Sequence, residues 1–214
     1  MPARKIPMNH LVVTGKSVGR DRMVAFEGDL EPDFYLCLRF DPDVKDFEEQ
    51  PVTLRYTAPN GRQYNYTPDV RITYNSARPA SLVEIKPTQS LLKDAAKLEP
   101  KFAEARRYAE ARGEVFEVRT ELDIRTPRLY NLRFLEVYDR LGPSESQVAA
   151  LLEAFRLVAD ATPNAVLASI AQTPEERDRI VPTLWHLVIR RRILANLDVR
   201  LTMSSPLSLP GGTL

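Results

Sequence analysis

The sequence predicts an α/β protein: a mixed β-sheet flanked by helices, followed by a small helical domain. Three observations carry this. Short runs with period-two alternation recur between about 52 and 86, an amphipathic helix separates them from one more alternating run at 114–121, and beyond about Leu135 the spacing becomes helical. A strand reached through a helix most naturally lies parallel to the strand before it, so the first part should be a βββαβ core.

Composition sets the outer limits. The 214 residues suffice for one sizeable domain or two small ones, and 43% hydrophobic with 28% charged residues is an ordinary globular balance. A net charge of +1 gives no global basic signature, so any contact with nucleic acid must come from local patches or a metal site. The single cysteine, Cys37, excludes an intrachain disulfide and a cysteine-based zinc site, and its neighbours Leu36 and Leu38 mark it as a small core residue. No apolar run reaches the roughly eighteen residues of a membrane span, and Met1–Pro7 lacks the apolar core of a signal peptide. A cytoplasmic protein is the expectation.

Residues 1–20 carry Arg4, Lys5, Lys16 and Arg20 without a clear period, the pattern of an edge strand, a frayed arm or a DNA-contacting arm; His10 stands alone and receives no role. From Asp29, Leu30, Phe34 and Leu38 recur at a spacing of four. Asp29 is a fair N-cap, Pro32 is tolerated in the first turn, and Pro42 should end the helix. Asp41-Pro42-Asp43 reads as a turn, Gln50-Pro51 as a second one, and Val52, Leu54 and Tyr56 as a half-buried strand. Asn60-Gly61 signals a hairpin leading from that strand to the next.

The central stretch runs from Tyr66-Thr67-Pro68-Asp69 to Glu84-Ile85-Lys86-Pro87. Val70, Ile72 and Tyr74 alternate, Asn75, Ser76, Arg78 and Pro79 supply a turn, and Leu82, Val83 and Ile85 resume the apolar run. Two strands so joined bring Asp69 toward the middle of the second strand, where the period of two puts Glu84 and Lys86 on one face. Two carboxylates can hold a divalent metal, and an ammonium beside them can orient a water or offset charge on a phosphate. The spacing, P-D-x(14)-E-x-K, is loose, and a surface hairpin with one exposed ion pair would also produce it. Charged residues inside an apolar strand are costly, however, unless paired or bound to metal.

After Pro87, Leu91, Leu92, Ala95 and Ala96 recur at helical spacing, and Pro100 interrupts. Phe102, Ala105, Tyr108 and Ala109 then form an amphipathic helix closed by Gly113, its basic residues reading as a solvated face. Glu114–Glu121 alternates as the last strand. Ser144 caps an amphipathic helix to Asp160, a short helix follows over Asn164–Ile170, a third spans Pro174–Ile193, and Leu197–Leu201 reads as a strand. Three helices and a β-element make a winged-helix-like module, a type that docks proteins or reads DNA. Arg190, Arg191, Arg192 and Arg200 against Asp198 give it a basic patch, while Trp185 and His186 read as packing residues.

With its flanks, the Asp69–Lys86 stretch resembles the PD-(D/E)xK nuclease superfamily, and within it the TnsA family, the endonuclease subunits of heteromeric Tn-seven-like transposases. Glu27-Gly28-Asp29-Leu30-Glu31-Pro32-Asp33 is similar to that family's helix segment E-S-x-L-E-x-D, Phe40-Asp41-Pro42 through Gln50-Pro51 to its F-D-P-x-V … Q-P segment, and Thr120–Leu135 to T-E-x-x-I-R … N-L-x-x-L. The resemblance implies a restriction-endonuclease-like domain over 1–135 and a winged-helix-like domain over 136–203, while 204–214, rich in Pro, Gly and Ser, reads as a flexible tail. It implies catalytic Glu31, Asp69, Glu84 and Lys86, with one or two Mg²⁺ ions, replaceable by Mn²⁺, held by Glu31, Asp69, Glu84 and the Ile85 carbonyl. Glu27 is the alternative to Glu31, since Gly28 departs from the family's serine. Gln50 either contacts the site or closes its turn; Glu121 and Arg125 receive no catalytic role. The implied act is nicking the 5′ ends of a transposon in double-stranded DNA, beside a TnsB-like DDE transposase and a TnsC-like AAA+ regulator that the C-terminal part engages. A stand-alone nuclease of defence or repair, and a catalytically silent DNA-binding or assembly protein, are the alternatives.

Overall fold

The computed structural model describes residues 14–18 and 23–211, with 14–18 and 24–27 described by backbone alone. The N-terminal basic arm and His10 thus lie outside the described residues, save for the backbone of 14–18. The chain forms two compact units, Met1–Arg125 and Thr126–Leu214.

In the first unit, β1 (Thr14–Val18) and β2 (Met23–Glu27) pair antiparallel, Thr14 opposite Glu27. Helix α1 (Leu30–Phe40) buries Leu30, Phe34 and Leu38, the face that the spacing of four marks out. Tyr35 is fully buried and stacks on Phe47 with ring centroids 5.5 Å apart. Asp29 precedes the helix in helical rather than extended geometry, and its side chain makes no cap bond. Its carboxylate accepts from Arg125 Nη2 at 2.7 Å, and Arg125 Nε reaches Asp33 at 3.1 Å, which ties the start of α1 to the end of the unit. Cys37 is half-buried, not a core residue.

A strand that sequence reading missed follows, β3 (Val44–Glu49). It buries Val44 and Phe47, three apart, because the register shifts between Val44 and Asp46; a bulge erases the period of two. The hairpin β4 (Leu54–Thr57) and β5 (Gln63–Tyr66) turns at Asn60-Gly61, where Gly61 has φ +76°. Contrary to expectation, β4 does not join the Asp69 strand. That strand, β6 (Val70–Tyr74), already pairs with β3 on one edge and β7 (Ser81–Ile85) on the other, so no backbone edge is left for β4.

Beyond Pro87 come α2 (Thr88–Lys93) and α3 (Ala95–Glu110). Pro100 does not interrupt α3, contrary to the sequence reading; Ala96, whose carbonyl loses its helical donor there, is exposed and can turn to water. Gly113, at φ +67°, follows α3 and admits β8 (Val115–Arg119). The last element is α4 (Glu121–Ile124), whose Thr120–Asp123 capping box satisfies its first amides. The main sheet has the order β3-β6-β7-β8, antiparallel except for β8, which runs parallel to β7 with Glu84 opposite Val118. Phe102, Ala105 and Ala109 of α3 pack on Leu82, Leu54 and Tyr66, which seats the helix across β7 and the β4–β5 hairpin.

The second unit holds α5 (Pro127–Asp139), α6 (Glu145–Leu157), α7 (Pro163–Ile170), α8 (Pro174–Ile189) and a short ladder of β9 (Leu194–Ala195) with β10 (Leu207–Ser208). The division at Arg125/Thr126 precedes the boundary expected at 135. Helix α5 buries Leu132 and Leu135 and sets Phe134 edge-on to Trp185 at 5.3 Å, so its packing ties it to α8. Ser144 caps α6 through a box with Gln147, as its position suggests. The strand expected at 197–201 is instead a loop pinned by buried Asn131, which donates to the carbonyls of Leu197 and Val199 at 2.8 and 2.7 Å and accepts from Leu201 N–H at 3.0 Å. Nor is 204–211 a free tail: Leu207 is buried and its N–H donates to the Ala161 carbonyl at 2.8 Å. Among the described residues no helix is long and apolar enough to cross a membrane.

Candidate active site

Asp69 stands at the entrance to β6. Its N–H donates to the Val83 carbonyl at 3.0 Å, and its own carbonyl accepts from Gln50 N–H at 2.7 Å, so both neighbouring strands hold it. Its carboxylate Oδ2 accepts from Ile85 N–H at 2.6 Å and is thereby turned onto the end of β7. There Glu84, 2% exposed, points to the same side as Lys86, whose Nζ lies 3.3 Å from Glu84 Oε1. The period of two does what the sequence implied, and Pro87 releases the chain immediately afterwards.

Two side chains that sequence reading did not assign complete the surroundings of Glu84. Tyr66, from β5, donates its hydroxyl to Glu84 Oε2 at 2.8 Å, and Lys101, from α3, donates to Oε1 at 2.9 Å. Lys101 lies with its ammonium 4.5 Å from the centre of the Tyr66 ring. Its signal was available, since Lys101 falls three residues after Leu98 and four before Ala105, on the apolar stripe rather than the solvated face. Tyr66 carried no such mark beyond its closeness to Asp69.

Glu31 joins from the first turn of α1, 9% exposed, with the Tyr35 hydroxyl 3.3 Å from its Oε2. A cavity of about 750 Å³ is lined by Glu31, Gln50, Asp69, Glu84, Lys86 and Lys101, with Ile85 on its wall. All four proposed catalytic residues therefore face one space. The side chain of Glu27 lies outside the described residues. Gly28 has φ +114°, a backbone that glycine adopts far more readily than serine, which accounts for the departure at that position.

The electrostatics are those of crowded acids. Burial, then the charges of Glu84 and Glu31, push the Asp69 carboxyl well above the usual carboxylate range, against the Ile85 amide and Lys86. Burial, then Glu84 and Asp69, raise the Tyr66 hydroxyl, which stays a donor. Burial works to discharge Lys86, but Glu84 and Asp69 outweigh it and hold the ammonium charged. Glu121, by contrast, is a structural residue whose carboxylate accepts from Thr88 N–H at 2.9 Å.

The donor set is all hard oxygen, acidic and short of positive charge around Asp69, which suits a divalent cation. Among the described residues no three His, Cys, Asp or Glu side chains form a ready-made ligand group. Mg²⁺ commonly binds through one or two carboxylates and keeps its waters, so a pair such as Asp69 and Glu84 is sufficient for it.

In the second unit the basic patch is partly neutralised. Asp198 is held by Arg128 at 2.8 and 2.9 Å, not by the arginines near it in sequence, Arg190 reaches Asp139 at 3.0 Å, and Arg200 reaches the Tyr130 hydroxyl at 3.1 Å. His186 packs with its Nδ1 2.9 Å from the Tyr138 carbonyl, and Trp185 is 3% exposed, so both are packing residues.

A mixed sheet flanked by helices, with two acids and a lysine at the end of adjacent strands, is compatible with a nuclease fold. Residues 41–121 match the family model described as TnsA-like endonuclease N terminal, which spans β3 to the start of α4 and includes Asp69, Glu84 and Lys86. The match supports a TnsA-like nuclease domain in this segment. Among curated proteins, none matches the chain.

Proposed function

We propose that the first unit is a divalent-metal-dependent DNA endonuclease, and that the chain is the subunit of a heteromeric transposase that nicks the 5′ ends of a transposon. The observation that carries this is the meeting of Asp69, Glu84 and Lys86 in one cavity inside the segment that matches the TnsA-like model. Asp69, Glu84, the Ile85 carbonyl and Glu31 would hold one or two Mg²⁺ or Mn²⁺ ions. Bound there, the metal would supply an activated water and offset charge on the phosphodiester.

The protein's own groups do the rest. Ile85 N–H fixes the direction of Asp69, and Tyr66 fixes that of Glu84. Lys86, charged and only 31% exposed, donates to the attacking water or to a phosphate oxygen. Lys101 supplies a second cation at the same carboxylate, where the polyanionic strand must approach. The second unit serves as a winged-helix-like module that docks a TnsC-like AAA+ regulator, with a TnsB-like DDE transposase completing the cut, in the cytoplasm. The match of residues 41–121 to the TnsA-like endonuclease model supports this reading over a stand-alone nuclease.

The test is nicking of a supercoiled plasmid carrying transposon ends, in Mg²⁺ or Mn²⁺, with and without the two partner proteins. The parent should cut at the ends when the partners are present, and Asp69→Ala and Lys86→Ala should not. Equal cutting by those variants sinks the assignment of the site, and cutting that ignores both ends and partners points to the stand-alone nuclease.

A further inference from the structure

Gln50 occupies a place that a turn residue does not need. It follows β3, has φ +47° in the left-handed region that side chains other than glycine seldom adopt, and precedes Pro51, which disfavours ordinary helical geometry at the residue before it. Its backbone N–H is bonded to the carbonyl of Asp69 at 2.7 Å, so it sits directly across from that acid. The residue is 7% exposed, it lines the same cavity as Glu31, Asp69 and Glu84, and its Oε1 is buried without a hydrogen-bond partner.

A buried amide oxygen left unsatisfied costs stability, and where one is found a water or ion is the usual reason. Any asparagine or glycine would close this turn with less backbone strain. The strain and the orphan oxygen have one explanation in common: both set a neutral oxygen into the acid-lined cavity.

We propose that Gln50 is an additional positioning residue of the cation site, its Oε1 ligating the cation or accepting a hydrogen bond from a water bound to it beside Asp69. This rests on the metal-dependent reading above. A neutral oxygen adds a donor without adding to the negative charge that already crowds Asp69, Glu84 and Glu31.

The test is Mn²⁺ binding by the full chain, read by electron paramagnetic resonance, with urea unfolding of the metal-free proteins alongside. Gln50→Leu keeps the volume and removes the oxygen; it should weaken Mn²⁺ binding about 10–100-fold, the range for groups that support metal ligands. Gln50→Glu puts a charged oxygen there and should bind Mn²⁺ more tightly than the parent, parental affinity counting against the proposal, which decides the matter if the leucine variant does not fold. Asp69→Asn should lose binding. If Asp69→Asn loses the ion while both Gln50 variants bind as the parent does, the role of Gln50 is overturned and the metal site stands. If the parent takes up no Mn²⁺, the metal-dependent reading fails and takes this proposal with it.

Discussion

Replacing Tyr66 by phenylalanine removes one oxygen and keeps the ring that packs 6.4 Å from Phe102. That oxygen donates at 2.8 Å to a carboxylate only 2% exposed, so the bond lost is one to a buried charge. Glu84 Oε1 keeps Lys86 and Lys101, and Oε2 loses its tyrosine donor. Hydrogen bonds to charged groups contribute about 1.5–3 kcal/mol, and Tyr66→Phe should destabilise the metal-free first unit by that amount. For a unit of this length the melting point should fall by roughly 6–11 °C. The assay is urea and thermal unfolding by far-ultraviolet circular dichroism, with emission of the single tryptophan, Trp185, reporting the second unit separately. In a double-mutant cycle with Glu84→Gln, the two changes should be coupled by about 0.5–3 kcal/mol. A loss below about 0.5 kcal/mol with no coupling would refute the idea that this hydroxyl orients Glu84.

Asp69 binds its proton more tightly in the folded chain than in the unfolded one, so unfolding releases a proton and metal-free stability falls as pH rises from the ordinary aspartate range to the raised folded value. Asp69→Asn should flatten that slope and, at neutral pH, raise stability by about 0.5–2 kcal/mol; parallel urea-midpoint profiles for variant and parent would contradict it. Lys101→Met keeps the stem on the Tyr66 ring but takes one of two ammonium groups from Glu84, and should cost about 1–3 kcal/mol in urea unfolding, whereas a solvated lysine would cost nothing measurable. Asn131→Ala strips three hydrogen bonds from the 197–201 loop and should destabilise the second unit by about 2–4 kcal/mol, seen as an earlier transition in Trp185 emission.

How far the chain could be read without coordinates differs from element to element. Helix α1 and strand β6 were legible because their apolar residues recur at the period of the element that forms, and β7 because a short apolar run, buried throughout, resumes after a turn. Strand β3 was not, because its bulge puts Val44 and Phe47 on one side at a spacing no strand rule expects. The hairpin of β4 and β5 was legible from Asn60-Gly61, but its separation from β6 was not, since which edge pairs with which is settled by competition between distant strands. Asp198 was grouped with the arginines nearest in sequence, yet Arg128 is its partner. Leu207 lies in a Pro, Gly and Ser stretch whose composition favours disorder, yet a single buried strand pair orders it.

The face shared by Glu84 and Lys86 follows from the chain itself, because alternation along a strand is a property of backbone geometry and holds wherever the strand is placed. The arrival of Glu31, Gln50, Tyr66 and Lys101 around them does not follow from any local rule. Those side chains come from α1, the end of β3, β5 and α3, and only the packing of these elements on the sheet brings them within reach of the two acids. Short-range periodicity is written into neighbouring residues; convergence over long stretches of chain is decided by which buried faces fit together.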